Sequence, residues 1–158
     1  MSFSTADLVD AHADILRGCQ VQFRSYGGRA RFHGPVRTIK CFEDNPLVKR
    51  TLSSPGDGAV LVIDGAASLR CCLLGDYMAE LGRKNGWTGV IVWGAVRDTV
   101  ALGAMDFGVL ALGSSPLRPA KTGAGQLDVP VEFGGTQFRP GDWVYCDEDG
   151  IVVSDRRL

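Results

Sequence analysis

The chain has no excess of charge of either sign. Its 17 Lys and Arg stand against 18 Asp and Glu, for a net charge of -1. That removes the electrostatic footprint of a general nucleic-acid binder, so any partner is expected to be a protein or small molecule and not RNA or DNA. It has no apolar run near the roughly 20 residues of a membrane span. The longest candidates, Ala59–Ile63 and Val90–Trp93, are strand-sized, and no membrane association is expected. The first residues, MSFSTADLVDAHADIL, lack a basic region followed by an apolar stretch. No signal peptide is expected, and the expected location is the cytoplasm. Histidine is scarce, with only His12 and His33, and no two of the five cysteines have C-x-x-C spacing. A zinc site is therefore not expected, and Cys19, Cys41, Cys71, Cys72 and Cys146 read as free thiols in apolar surroundings. No glycine-rich loop leads from a strand into a helix, which excludes a dinucleotide fingerprint, Gly123-Ala124-Gly125 included.

What the sequence does have is a central stretch, Gly75 to Asp98. Gly75–Asp76 opens a helix-like segment with Tyr77, Met78 and Leu81 on one face. Asn85–Gly86 is a C-terminal stop. Gly89–Gly94 is a strongly apolar strand that leads to Arg97–Asp98. A helix start offers free backbone N–H groups that suit an anion. If the strand end lies beside that helix start, the two form a pocket for a small carboxylate, with a carboxylate side chain left for a metal. Asp76 also reads as an ordinary first-turn carboxylate, and Arg97–Asp98 as a surface ion pair of little energetic weight.

Around this stretch the pattern is α/β. Ser4 or Thr5 caps a first helix with Asp7 in its first turn and Leu8, Ala11, Ile15 and Leu16 as its stripe; His12 reads as a structural position on it. Arg24, Arg29 and Arg31 flank a Gly27–Gly28 turn and read as solvated or interface residues. Val36–Phe42 is a strand, and Pro46 starts a helix with Leu47, Val48 and Leu52 on one face. Ala59–Ile63, Gly89–Gly94 and Val109–Leu112, separated by helical segments, imply parallel crossover units. Ser114 to Asp128 is loop-like. Val129–Phe133 and Thr136–Phe138 form a hairpin on Gly134–Gly135, followed by strands Trp143–Cys146 and Ile151–Val153. Asp147-Glu148-Asp149 reads as a solvated turn. The expectation is one layered domain.

Arg97 has the fork to take a carboxylate or carbonyl oxygen bidentately. Asp98 has the oxygen ligand for a hard divalent cation, and Asp76 can hold one of its waters or move a proton. Such a set suits the enolate formed when a 2-keto dicarboxylate is decarboxylated or cleaved in a retro-aldol reaction.

Several separated motifs, in order, resemble the RraA-like family: the regulators of ribonuclease activity A and the related 4-hydroxy-4-methyl-2-oxoglutarate aldolases. They are Thr5-Ala6-Asp7-Leu8, Cys41-Phe42-Glu43-Asp44-Asn45, Val62-Ile63-Asp64-Gly65, Leu74-Gly75-Asp76, Asn85-Gly86-Trp87, Gly94-Ala95-Val96-Arg97-Asp98, Phe133-Gly134-Gly135, Pro140-Gly141-Asp142 and Asp147-Glu148-Asp149-Gly150-Ile151. The resemblance implies one RraA-like domain over residues 1–158. The implied fold is α/β, a layered β/β/α sandwich like the swivelling phosphohistidine domain, assembled as a homotrimer. It implies a lyase on pyruvate-type 2-keto acids that depends on a divalent metal, magnesium or manganese. Asp98 would support the metal, Arg97 would bind the substrate oxygens, and Asp76 would orient water on the metal. The backbone of Gly75, Asp76, Tyr77 and Met78 would receive the carboxylate. Ala101 stands where the fuller motif often has an acid, and the sequence ends at Leu158 without the C-terminal glutamate segment of the larger aldolases. Both favour oxaloacetate decarboxylation over aldol cleavage. The family's namesake implies an alternative, a non-enzymatic regulator that binds an endoribonuclease. A methyl-transfer reading, attached to some relatives, finds no suitable nucleotide loop.

Overall fold

In the computed structural model, which describes residues 2–158, the chain opens with helix α1, Thr5–His12. Ser4 caps it, accepting from the Asp7 N–H at 3.0 Å. The helix stops at His12, so Ile15 and Leu16 fall beyond the stripe expected of them. Short strands β1 (Arg17–Gly18) and β2 (Arg24–Ser25) follow, then the long β3 (Phe32–Lys40). The strand expected at 36–42 thus begins earlier and ends earlier. Its first half pairs with one neighbour and its second half with another, which lengthens it. Glu43, in the left-handed region at φ 51°, turns the chain away just after it.

Helix α2 (Pro46–Leu52) starts on Pro46 in its first turn, where a missing N–H costs nothing. Then come β4 (Val60–Asp64), β5 (Cys72–Leu74), α3 (Asp76–Lys84), β6 (Gly89–Val96), α4 (Thr99–Gly103) and β7 (Gly108–Ser114). The last part is β8 (Gln126–Leu127), β9 (Val131–Phe133), β10 (Thr136–Phe138), β11 (Trp143–Asp147) and β12 (Gly150–Ser154).

One mixed sheet runs β1-β12-β11-β3-β4-β6-β7-β2, with β5 beside the end of β6 and β8 beside β3. Strands β3, β4, β6 and β7 are parallel neighbours, as the crossover pattern requires. The sheet is covered on both faces, and alternation along the strands shows it. Leu61 and Ile63 of β4, with Val90 and Val92 of β6, pack under the helices with Leu47, Leu52, Ala79 and Leu102. Val60, Val62 and Ile91 point the other way, against Val131, Phe133, Phe138 and Val144 of the β layer. Each such Val, Leu, Ile or Phe side chain, fully buried, contributes roughly 1.5–3 kcal/mol from removal of apolar area. The β9–β10 hairpin turns on Gly134 and Gly135, at φ 61° and 75°, the pair of positive angles that its two-residue turn needs.

The turn at 147–149 differs from expectation. Asp147 is buried, not solvated. Its oxygens accept from the Thr5 N–H and hydroxyl, both at 2.7 Å, and from the Asp149 N–H at 3.0 Å. Burial alone would raise its carboxyl, but these donors outweigh burial and hold it below its ordinary value. Helix α1 is thereby tied to the β11–β12 hairpin, with Phe3, Tyr145 and Val152 packed beneath. His33 stacks on Tyr145 at 5.6 Å, and burial pushes its imidazole pKa down. Arg29 and Arg31 are surface ion-pair residues, with Asp106 and Glu148.

Candidate active site

The short strand β5 makes the site. It pairs with the end of β6, Leu74 opposite Val96, and the Arg97 N–H donates to the Leu74 carbonyl at 2.9 Å. The residues after each strand, Gly75–Asp76 and Arg97–Asp98, are thus brought face to face. Gly75 is the cap position of α3, and no side chain caps that helix start. Instead the Asp76 N–H donates to Asp98 Oδ2 at 3.1 Å, across from the other strand. Asp98 adopts φ 60° and ψ 44°. That left-handed conformation is uncommon outside glycine and best tolerated by Asp and Asn. It lets the chain leave β6 and enter α4 at once while the carboxylate turns back to α3. The Arg97 Nε lies 3.8 Å from the same oxygen, with both side chains a little over one-third exposed.

Six expected residues line one cavity of about 220 Å³: Gly75, Asp76, Tyr77, Met78, Arg97 and Asp98. Of the four backbone groups expected to receive a carboxylate, that of Asp76 is engaged by Asp98, so the start of α3 is partly occupied from within.

The rest of the lining holds residues that sequence reasoning missed: Asn45, Lys49, Cys72, Arg118, Pro119 and Lys121. The segment after β7, expected as loop, is held in place by the tripeptide before α2. Buried Asp44 accepts from the Thr122 N–H at 3.2 Å, the Gly123 N–H at 2.9 Å and the Thr122 hydroxyl. Those donors, the Thr122 hydroxyl first, hold its carboxyl below its ordinary value. The Ala120 N–H donates to the Glu43 carbonyl at 2.7 Å. Buried Asn45 donates to the Leu73 carbonyl at 3.1 Å and accepts from the Lys121 ammonium at 2.6 Å. Glu43-Asp44-Asn45 reads in sequence as a turn. The contacts to residues 120–123 span more than 70 residues, and the only local signal was an acid and an amide set before a proline.

The cavity is cationic: Lys49, Arg97, Arg118 and Lys121 stand against Asp76 and Asp98. Lys49 sits over the Tyr77 ring at 5.2 Å. Such a lining favours an anion with more than one negative charge. Cys72 is buried in the wall. Burial pushes its thiol up while Arg97 nearby pulls the other way, so at neutral pH it is an uncharged surface and not a nucleophile. Cys41, outside this cavity, is pushed up to about 12, mainly by burial.

Among the described residues no three His, Cys, Asp or Glu side chains cluster. A thiolate or imidazole metal therefore has no cage here. A hard cation that keeps most of its waters needs only one or two carboxylates. Asp98 fits that role. Its Oδ2 is engaged, whereas its Oδ1 has no hydrogen bond among the described residues, and Asp76 lies on the same wall.

The chain is similar to known proteins of one family. The profile of the RraA-like family, described as Aldolase/RraA, matches residues 5–153. A protein of Alkalilimnicola ehrlichii, provisionally named 4-hydroxy-4-methyl-2-oxoglutarate aldolase, is 55% identical over 158 residues, covering 100% of this chain and 98% of that protein. A Halorhodospira halophila protein of the same provisional name is 54% identical over 162 residues, covering 100% and 99%. Two solved structures superpose closely. One is described as an S-adenosylmethionine:2-dimethylmenaquinone methyltransferase from Geobacillus kaustophilus, with TM-score 0.97, 46% identity and coverage of 99% and 97%. The other is described as the RNA-processing inhibitor RraA from Thermus thermophilis, with TM-score 0.96, 43% identity and coverage of 100% and 96%.

Proposed function

Since the chain belongs to the RraA-like family, we propose that it is a carbon–carbon lyase acting on 2-keto acids through an enolate, with oxaloacetate decarboxylation as the reaction its residues serve best. The observation that carries this reading is the meeting of the α3 start with Arg97–Asp98 at one side of a cationic cavity. The names of the aldolase relatives support the same class of chemistry.

In this reading the Arg97 guanidinium grips the 2-keto and carboxylate oxygens with paired N–H donors. The free N–H groups of the first α3 turn favour the carboxylate end. As the bond to the leaving carboxylate breaks, its electron pair moves toward the keto oxygen. Arg97 and Lys121 stabilise the charge that grows there, in a site that binds the enolate more strongly than the ketone. Carbon dioxide leaves without a proton. The enolate then needs one at carbon 3, and Asp76 is placed to direct a proton from water. A divalent cation such as magnesium or manganese, held by Asp98 with help from Asp76, would add Lewis-acid charge at the keto oxygen. Aldol cleavage would use the same enolate but also needs a base to take the proton of the substrate's 4-hydroxyl as it becomes a carbonyl, and position 101 offers only Ala101. A homotrimeric assembly belongs to the same reading and is checked by sedimentation.

The direct test is conversion of oxaloacetate to pyruvate by purified protein, with magnesium or manganese and again with chelator. A rate no faster than metal alone would end the proposal. A second reading, binding to an endoribonuclease, is favoured by the likeness to the RNA-processing inhibitor. It predicts retention of this protein on the immobilised endoribonuclease at low salt, and no retention would count against it. The methyltransferase name of the other structural relative finds less support: the turn into α3 carries one glycine, Gly75, and is filled by the Asp98 carboxylate.

A further inference from the structure

We propose that the cavity lined by Phe3, His33 and Trp143 with Arg29, Arg31 and Arg157 is a second ligand site, built for an aromatic anion of the nucleoside monophosphate class. It lies away from the cavity of Arg97 and Asp98 and does not depend on the lyase reading.

Its place follows from strand register. His33 of β3 stands opposite Tyr145 of β11, and Pro35 opposite Trp143. Side chains two apart on a strand share a face, so these four project to the same side of the sheet. Phe3 meets the His33 ring edge-on at 5.4 Å and the Tyr145 ring at 5.5 Å. Tyr145 is buried, whereas His33 and Trp143 stay half-buried. The hollow beside them is about 420 Å³, within the range of small-molecule sites. Gly58 and Thr88, which also line it, stand just before β4 and β6. The cavity is therefore at the start of β6, whereas Arg97 follows its end, roughly 25 Å farther along the strand.

The lining carries three guanidinium groups against one carboxylate, Asp57. Two of the three are fixed by partners. Arg29 donates to Asp106 at 2.9 Å, and Arg31 donates to the Phe3 carbonyl at 2.7 Å and to Glu148 at 3.1 Å. Arg157 is different. Its guanidinium lies over the Trp143 ring at 5.1 Å. Of the arginines that stack on rings, Arg31, Arg37 and Arg70 each hold a carboxylate, and Arg157 holds none among the described residues. Its charge is felt next door: the His33 imidazole is held below its ordinary value first by burial and then by nearby positive charge, that of Arg157 included. His33 Nδ1 is buried without a hydrogen-bond partner, so the ring is held by its stacking on Tyr145 and Trp143.

A ring face and a free guanidinium side by side suit a ligand that has both a planar ring and an anion. The exposed Arg157 side chain covers Trp143 as a base would. A base laid on Trp143 would take that place, and the guanidinium would turn to the phosphate with paired N–H donors. Phosphate alone would leave the rings wet, and a nucleoside alone would leave Arg157 without an anion. A single phosphate held by guanidinium groups needs no glycine-rich loop.

Calorimetry at low salt tests the site with three probes: AMP, adenosine and inorganic phosphate. Wild type, Arg157→Ala, Trp143→Leu and Arg97→Ala are compared, with thermal melting to check each fold. AMP is expected to bind at least about tenfold more tightly than adenosine or phosphate. Arg157→Ala, an exposed position that folding does not need, should weaken AMP about tenfold, and Trp143→Leu by a similar factor. Arg97→Ala should leave AMP binding unchanged. No binding of AMP, or AMP no tighter than phosphate or adenosine, would overturn the proposal. So would AMP binding that survives Arg157→Ala, or that is lost in Arg97→Ala, which would put the anion in the other cavity.

Discussion

Gly75 and Asp98 share one space: a Cβ on Gly75 would stand 2.6 Å from Asp98 Oδ2. Gly75 has φ -128°, so its backbone does not demand glycine. What demands it is the carboxylate that bonds the start of α3. Gly75→Ala should therefore fold, with stability changed by less than about 1 kcal/mol. It should push the Asp98 carboxylate aside and lower metal-supported turnover at least tenfold. Thermal melting and turnover measured together check this; a variant with full turnover would show that the Asp98 position does not matter.

Arg97→Lys keeps the charge and loses the fork. A lysine offers one compact ammonium where the keto acid asks for two parallel donors. Turnover should fall roughly a hundredfold, the scale seen when a donor to a developing oxyanion is removed. Steady-state kinetics at saturating metal measures this, and near-wild-type rates would mean that charge alone suffices.

Asp44 locks the wall that carries Arg118 and Lys121. Its carboxyl is held below the ordinary 3.8 by the Thr122 hydroxyl and neighbouring N–H groups. The group thus contributes stability that is present above that value and lost as pH falls through the lower folded one. Wild type should keep the segment closed at neutral pH and release it only in stronger acid. Asp44→Asn should leave it loose at every pH, seen as faster tryptic cleavage after Lys121 and a raised KM. Cleavage at the wild-type rate would contradict this role.

Much of this wall could not be read from sequence, and the reason is physical. The α3 start, the apolar β6 and the hairpin on Gly134–Gly135 announce themselves through local pattern, and they stand where expected. Strand β5 is three residues long and exists because the end of β6 has a free edge beside it, so no local pattern marks Cys72–Leu74 as a strand. Lys121 and Arg118 sit in a segment with loop composition, and distant partners, Glu43, Asp44, Asn45 and Cys72, give it a shape. Asp147 looked solvated because its neighbours Glu148 and Asp149 are; its partner, Thr5, is 142 residues away.

That partnership is also measurable. Thr5→Val removes a hydroxyl donor from the buried Asp147 carboxylate while keeping the side-chain volume. About 1–3 kcal/mol of stability should be lost, read from the midpoint of urea unfolding with an unchanged slope. An unchanged midpoint would mean that α1 is held by its apolar contacts alone.

The central claim is that Arg97 and Asp98, facing the α3 start, make a metal-assisted site for enolate chemistry. The most direct measurement is the rate of pyruvate release from oxaloacetate, against the same magnesium or manganese concentration without protein. The account predicts a protein-dependent rate that chelator abolishes, that returned metal restores, and that Asp98→Ala lacks at any metal concentration. A rate equal to that of the metal alone, or one untouched by chelator and by Asp98→Ala, would contradict it.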